Sequence, residues 1–271
     1  VIKVTKKQLD LINQKHVLNW CSKNKPDVIV HCAAKVGGIN ANSNFPVDFL
    51  YQNTAMQLNV LNAAYKNNIK KLIMLGSSCS YPPNTKRPIL EKDLLTDKPE
   101  ITNIWYSVAK INGIKLCEAY RKQFGFNYFS IIPTNLYGPG DTFNTNNNHV
   151  IPSLIQKIYL AKLKRLDKII LWGSGKPLRD FMYIDDAAKI ILHLMNKNKK
   201  YSLINIGTGK EINIKNLATK IASIIGYKGR IEFDIKKPDG AKRKLLDISR
   251  LKEYGFKNFT NLDHGLKMTS K

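Results

Sequence analysis

Short apolar runs alternate along this chain with longer stretches whose apolar positions recur at helical spacing. Asp27-Val-Ile-Val-His-Cys-Ala-Ala34, residues 72–75, Ser130-Ile-Ile-Pro133, Ile169-Ile-Leu-Trp172 and residues 203–206 are nearly continuous in branched aliphatics. Strands buried on both faces read this way. Helices are expected over 14–24, over 46–67 with Phe49, Leu50, Leu58, Leu61 and Ala64 facing a core, over 106–124, and over 214–225. Gly125 is a natural C-terminal cap for the third of these. A further strand is expected at 230–233, and Val1-Ile-Lys-Val4 reads as the end of another. Strands alternating with helices predict an α/β fold with a doubly wound parallel sheet, whose ligands sit beyond the carboxyl ends of the strands. The loops after Ala33, at Ser77 and after Pro133 all follow strand ends, and this ordering predicts one shared site.

Composition changes the picture little. At 271 residues the chain exceeds the size at which one core is usual, so a main domain and a smaller lobe are expected. Its 44 basic and 20 acidic residues give a formal charge of +24. Such a balance normally points to nucleic acid or membrane. Here the lysines are scattered, no basic block of five or six occurs, and the chain is also rich in Asn and Ile. The charge is therefore read as compositional bias, with neither nucleic acid nor membrane as a partner, although the field still attracts phosphates. Cys21, Cys32, Cys79 and Cys117 lack C-x-x-C spacing and no secretion signal is visible, so a reducing cytoplasm is expected. No apolar run approaches the ~20 residues of a membrane span. No metal site is expected.

Chemistry enters with Tyr106-Ser-Val-Ala-Lys110. Side chains at i and i+4 of a helix lie about 5–6 Å apart. A lysine charge at that distance favours the phenolate and lowers a tyrosine pKa from its usual ~10. The pair is thus expected to relay protons. Any helix can supply such a spacing by chance, so its neighbours matter. Upstream, Leu75-Gly-Ser-Ser-Cys79 carries hydroxyls and a thiol beyond a strand, and downstream Ser130-Ile-Ile-Pro-Thr-Asn-Leu-Tyr-Gly-Pro-Gly140 ends a strand in a polar turn. Gly173-Ser-Gly175 and Gly207-Thr-Gly209 lack the spacing of phosphate loops and are expected to be turns.

The order strand-Gly-Ser-Ser, Tyr-x-x-x-Lys, strand-Pro-Thr-Asn resembles the extended short-chain dehydrogenase/reductases that act on nucleotide sugars. Ala33-Ala-Lys-Val-Gly-Gly-Ile39, His149-Val-Ile-Pro152, Trp172-Gly-Ser-Gly175 and Lys237-Pro-Asp-Gly240 extend that resemblance almost from end to end. It implies a Rossmann-type domain over 1–143 with return segments near 179–207, and a smaller substrate lobe over 144–178 and 208–271. It also implies a homodimer formed through the two long helices, and a GDP-linked 4-keto-6-deoxy sugar epimerised at C3 and C5 and then reduced at C4 by NADPH. In this reading Ser77 and Tyr106 hydrogen-bond the keto oxygen, and Cys79 and His149 are the epimerising pair. The ordinary pKa values of these last two types, about 8.5 and 6.5, suit proton transfer. Tyr106 protonates the alkoxide and Lys110 tunes it and holds the nicotinamide ribose. Cofactor contacts fall to Leu75, Gly76, Ser77, Ser78, Lys110, Pro133, Thr134, Asn135, Leu136 and His149. Substrate contacts fall to Lys157, Trp172, Arg179 and Asp239. By pattern alone, Trp172 is a core residue.

A dinucleotide fold is expected to begin with a strand, a Gly-rich turn and a helix. No such unit occurs in this sequence. The resemblance puts Val1 near the end of the second strand and puts Lys3 and Lys6 where a 2′-phosphate contact belongs. Weak NADPH binding and low activity are expected of the chain as numbered. Two rival readings stand beside this one. A 4-epimerase or 4,6-dehydratase of the same superfamily shares Ser77, Tyr106 and Lys110, although dehydratases carry an acidic pair where this chain has Ser78-Cys79-Ser80. The other rival is a non-catalytic basic binding protein that retains the fold.

Overall fold

Helix α1 (Gln14–Asn24) starts where Asn13 caps it, the His16 N–H donating to Asn13 Oδ1 at 3.0 Å. The computed structural model describes residues 1–271 except 84, 86, 144–148, 198–200, 238 and 271, and except the side chains of 39 and 40. In chain order, β1 (Val28–His31), α2 (Ile39–Asn44), α3 (Asn53–Lys66), β2 (Lys71–Leu75), α4 (Ile104–Phe124) and β3 (Asn127–Pro133) come after α1. Then come β4 (Asn135–Tyr137), α5 (Val150–Leu163), β5 (Lys168–Trp172), β6 (Leu178–Arg179), β7 (Phe181–Tyr183), α6 (Ile184–Asn196) and β8 (Leu203–Ile206). The chain closes with β9 (Ile212–Asn213), α7 (Ile214–Ile225), β10 (Arg230–Asp234), β11 (Arg243–Lys244), α8 (Ser249–Glu253) and α9 (Leu262–Thr269).

The central sheet has the order β1-β2-β3-β8. Strands β1 and β2 pair in parallel with His31 opposite Met74, and β2 and β3 pair in parallel with Leu75 opposite Ile131. This is the expected α/β fold with a Rossmann-type parallel sheet. Strand β8 matches the sequence pattern to the residue, and β2 begins one residue before its apolar run. The expected strand at Val1–Val4 does not form: Val1, Ile2 and Val4 are exposed and unpaired in any sheet. A strand needs a neighbouring backbone to take its N–H and C=O groups, and β1 pairs with β2 alone.

The long helix expected over 46–67 forms over 46–66 and contains one irregular turn. A π-helical turn at Asp48–Gln52 precedes α3. Within the regular turns of α3, Asn53 and Gln57 share the buried face with Leu61 and Ala64, while Leu58 lies off that face and is exposed to solvent. Helix α4 ends as expected at Gly125, whose φ of 71° closes the last turn in the left-handed region.

The chain divides into two compact units. The first comprises Val1–Tyr81, Leu94–Ile132 and Leu192–Ile204. Its core joins Val60, Leu61 and Ala64 of α3 to Leu72 and Met74 of β2, Cys117 of α4 and Tyr128 of β3. The second comprises Pro82–Asp93, Pro133–Ile191 and Asn205–Lys271. There Ile151, Leu154, Ile155 and Ile158 of α5 pack with Leu217 and Ile221 of α7 over Ile169 and Leu171 of β5, which pairs in parallel with β10. Residues 82–93 join the second unit through a bridge from Ile89 to Leu246 and through Glu91, which accepts the Asn205 N–H at 3.0 Å. The lobe boundary expected at Asn144 lies outside the described residues. No described helix is long and apolar enough to cross a membrane.

Candidate active site

In the first unit the site is built where β2 runs out. The Gly76 N–H donates to the Ile131 carbonyl at 2.8 Å, carrying the strand pairing one residue further. A Cβ on Gly76 would meet Ile132 Cγ1 at 2.9 Å and Ile114 Cδ1 at 3.2 Å, so only glycine lets the chain pass between β3 and α4 there. Ser77 then caps a 3-10 turn at Ser78–Ser80, its Oγ accepting the Cys79 N–H at 3.3 Å. Helix α4 is tied to this loop twice. Lys110 Nζ donates to the Leu75 carbonyl at 2.8 Å, and Ser107 Oγ donates to the Cys79 carbonyl at 2.9 Å. The Tyr106 phenol shares a hydrogen bond with Ser77, and its ring packs edge-on against Phe49 with centroids 6.4 Å apart. The structure thus brings Leu75, Gly76, Ser77, Ser78, Cys79, Tyr106 and Lys110 together.

Burial dominates the electrostatics. Lys110 is only 2% exposed, and its ammonium is pulled down to a pKa of about 8, with an interaction toward Cys32 acting the other way. Tyr106 is pushed above the ordinary tyrosine value, first by burial and then by the negative charge available to Cys79, while the Ser77 hydrogen bond opposes the rise. The expectation that Lys110 lowers the Tyr106 pKa is therefore corrected. Lys110 Nζ lies 5.7 Å from the ring centroid and is directed at the Leu75 carbonyl rather than at the phenol oxygen. His31, 4% exposed, is held neutral with its pKa pulled to about 3 by burial and by Lys110, and its Nε2 finds no partner among the described residues. Sequence reasoning passed over His31, although a histidine inside an aliphatic strand is the signal that could have found it.

In the second unit, Thr134 and Asn135 are oriented by Asp180. Thr134 Oγ1 and Asn135 Nδ2 each donate to the Asp180 carbonyl at 2.9 Å, and the Thr134 N–H donates to the Ile206 carbonyl at 2.8 Å. The fully buried Asp180 carboxyl accepts the Thr208 N–H at 2.9 Å, the Gly209 N–H at 3.2 Å and the Thr208 hydroxyl. Burial raises its pKa to about 6 against those hydrogen bonds. Asp180 also went unread, although Arg179 beside it was among the expected substrate contacts. Pro133 ends β3, and Leu136 lies in β4, paired with Met182 of β7. His149 is the exposed residue that precedes α5, in extended conformation.

The residues expected to meet substrate lie around the ends of β5 and β6. Trp172 is 73% exposed, which overturns the core reading from pattern. It stands on the solvent side of β5 because Ile169 and Leu171 take the inward positions, and Lys237 Nζ lies 5.4 Å from its ring centre. Asp239 locks the adjoining turn, accepting the Ser174 N–H at 2.8 Å and the Ser174 hydroxyl at 2.6 Å, and these bonds hold its carboxyl below the usual range. Gly173 and Gly175 have φ of 80° and 72° in that turn, as their reading as turn residues expects. Arg179 Nη1 donates to the Leu178 carbonyl at 2.7 Å. Lys157 Nζ donates to the Ile170 carbonyl, and burial lowers its pKa. Among the described residues no group of three or more His, Cys, Asp or Glu is placed to hold a metal ion.

Comparison with known proteins adds an independent line. The model of the NAD dependent epimerase/dehydratase family matches residues 2–207. A GDP-L-fucose synthase of Sinorhizobium fredii is 47% identical over 266 residues, covering 98% of this chain and 85% of that protein. One from Escherichia coli is 43% identical over 274 residues, with coverage of 98% and 85%. The crystal structure of a GDP-L-fucose synthetase from Naegleria fowleri bound to NADP superposes with a TM-score of 0.91 at 30% identity, covering 99% of this chain and 84% of that one. With a matched family model over most of its length and such relatives over nearly all of it, this chain belongs to the NAD dependent epimerase/dehydratase family.

Proposed function

We propose that this chain is a GDP-L-fucose synthase, converting GDP-4-keto-6-deoxy-D-mannose to GDP-L-fucose by epimerisation at C3 and C5 and NADPH-dependent reduction at C4. The observation that carries the reading is the hydrogen-bonded grouping of Ser77, Cys79, Tyr106 and Lys110 at the end of β2, in a chain whose relatives bear that name. A 4-keto group acidifies the C–H bonds beside it. Ser77 and Tyr106 donate to its oxygen and stabilise the enolate. Cys79 and His149 are the proposed proton-transfer groups for the two carbons. The phenol of Tyr106, held protonated by burial, donates its proton to the C4 alkoxide.

The residues fit the cofactor. Lys110 has three N–H donors and gives one to Leu75, which leaves donors for ribose hydroxyls. NADPH supplies the hydride. Leu75 to Ser78, Pro133 to Leu136 and His149 are its other proposed contacts, and residues 1–143 with 179–207 its proposed domain. In the proposed substrate lobe, 144–178 and 208–271, Lys157 and Arg179 hold the diphosphate by charge-assisted hydrogen bonds, Trp172 offers an amphipathic surface, and Asp239 completes the contact.

A homodimer forms part of the proposal. Val47, Tyr51 and Leu58 before and along α3, and Ile101, Trp105 and Val108 before and along α4, are exposed apolar side chains at helical spacing, as an interface through those helices requires. The four cysteines are free thiols, which supports a cytoplasmic location. The test mixes protein, NADPH and the keto sugar in deuterated water and monitors nicotinamide absorbance, deuterium at C3 and C5, and the product. A different product sugar, or no turnover, rejects the reading.

A further inference from the structure

Among the buried hydroxyls beside the reacting groups, that of Ser107 has a described partner in the loop but no role in the proposed chemistry. Ser107 is fully buried on α4, one residue after Tyr106, and its Oγ donates to the Cys79 carbonyl at 2.9 Å. Cys79 is also held by a short 3-10 turn whose cap, Ser77, accepts the Cys79 N–H at a long 3.3 Å. Three residues of such a turn fix a backbone weakly, because its hydrogen-bond geometry is poor. Ser77 itself is bonded to Tyr106. The contacts therefore close a ring: Tyr106 to Ser77, Ser77 to Cys79, Cys79 to Ser107, and Ser107 back to Tyr106 through the helix backbone. Lys110, one turn along, ties the same helix to Leu75 at the start of the loop.

We infer that Ser107 is a positioning residue that holds the Cys79 thiol in register with the Tyr106 phenol, so that one keto sugar can meet both without being repositioned. This rests on the reading of Cys79 as a proton-transfer group. Ser107 touches no reacting atom. Its hydroxyl fixes the peptide that carries Cys79, while Ser77, Tyr106 and Lys110 keep their own anchors. Its loss should then weaken proton exchange at carbon more than hydride transfer. Misplacing a reacting group by about 1 Å can cost up to ~100-fold.

Two rates separate these steps. Exchange is the initial rate of deuterium uptake at C3 and C5 of the keto sugar without reductant. Hydride transfer is the initial rate of NADPH formation from NADP and GDP-L-fucose, which needs no epimerisation. Their ratio is unaffected by the fraction of protein that is folded, so a purely structural defect leaves it unchanged. In Ser107→Ala the ratio of exchange to hydride transfer should fall at least about tenfold, in kcat rather than KM. Ser107→Cys, similar in size but a weaker donor, should fall between Ser107→Ala and the parent. Exchange at the parental rate in Cys79→Ala overturns the role of Cys79 and this inference with it. Exchange lost in Cys79→Ala, with the ratio unchanged in Ser107→Ala, overturns the inference alone.

Discussion

Replacing Lys110 by Met should make the protein more stable at neutral pH and remove its activity. Lys110 is a cation almost wholly withdrawn from water, and its pKa falls from an ordinary 10.5 to about 8. At ~1.36 kcal/mol per unit, that displacement is a penalty of about 3 kcal/mol for carrying the charge in the folded state. Met has similar length and no charge, so the penalty disappears. Against this stands the loss of the 2.8 Å hydrogen bond to the Leu75 carbonyl, which leaves that acceptor unpaired at a cost of about 1–2 kcal/mol. The net gain is about 1–2 kcal/mol at pH 7. Its pH dependence has a fixed sign. A lysine with a depressed folded pKa burdens the fold fully below pH 8, and the burden fades between pH 8 and 10.5. The advantage of Lys110→Met should therefore be largest near neutrality and reverse by pH 10.5. Urea unfolding of both proteins at pH 7, 9 and 10.5 measures it, the difference between them cancelling other titrating groups. A variant less stable than the parent at pH 7, with a difference that does not change with pH, would refute the reasoning.

Other consequences can be checked more briefly. Tyr106→Phe should cut NADPH oxidation at least about 100-fold while deuterium exchange persists; reduction at the parental rate rejects Tyr106 as the proton donor. Arg179→Ala should weaken GDP binding about tenfold or more and flatten its salt dependence, as isothermal calorimetry at two ionic strengths would register. Asp180 has a folded pKa raised from 3.8 to about 6, so its favourable contribution is complete below pH 3.8 and is lost as pH rises through 6. Asp180→Asn, whose amide oxygen can accept the Thr208 and Gly209 N–H groups while its NH2 donates to the Thr208 hydroxyl in reversed sense, should match the parent near pH 4 and exceed it by up to about 3 kcal/mol above pH 6; parallel denaturation curves at both pH values would contradict this.

What was legible in the sequence was whatever depends on local periodicity. Strand β2, helix α7 and the stop of α4 at Gly125 come from runs of apolar residues and from one glycine, signals that a chain carries within a few positions. The phase of α3 was not legible. Gln57 is buried and Leu58 faces solvent, against the polarity of the two side chains, because packing with α1 and α4 selects which face of α3 turns inward. Trp172 was misjudged by pattern for a related reason: in a five-residue strand with both parities apolar, only tertiary packing decides which face is buried. The residues of the site were legible as motifs, but their electrostatics were not. Spacing alone places Lys110 one turn from Tyr106, yet the direction of its ammonium is set by the Leu75 carbonyl, which belongs to another element.

That direction changes how the pair can work. A phenol raised by burial and an imidazole held neutral at His31 leave Lys110 as the cation at the end of β2 whose charge is balanced close to physiological pH. Because desolvation depresses its pKa, any negative charge brought within a few ångströms must raise it again, and the same interaction binds that negative charge. Lys110 is thus better described as a receptor for developing or arriving negative charge than as a permanent tuner of Tyr106. Burial keeps the Tyr106 phenol protonated, as its proposed role as proton donor requires. A cation retained at the end of β2 at a net cost to stability, even with its hydrogen bond to the Leu75 carbonyl counted, supports the proposal that Lys110 serves the chemistry.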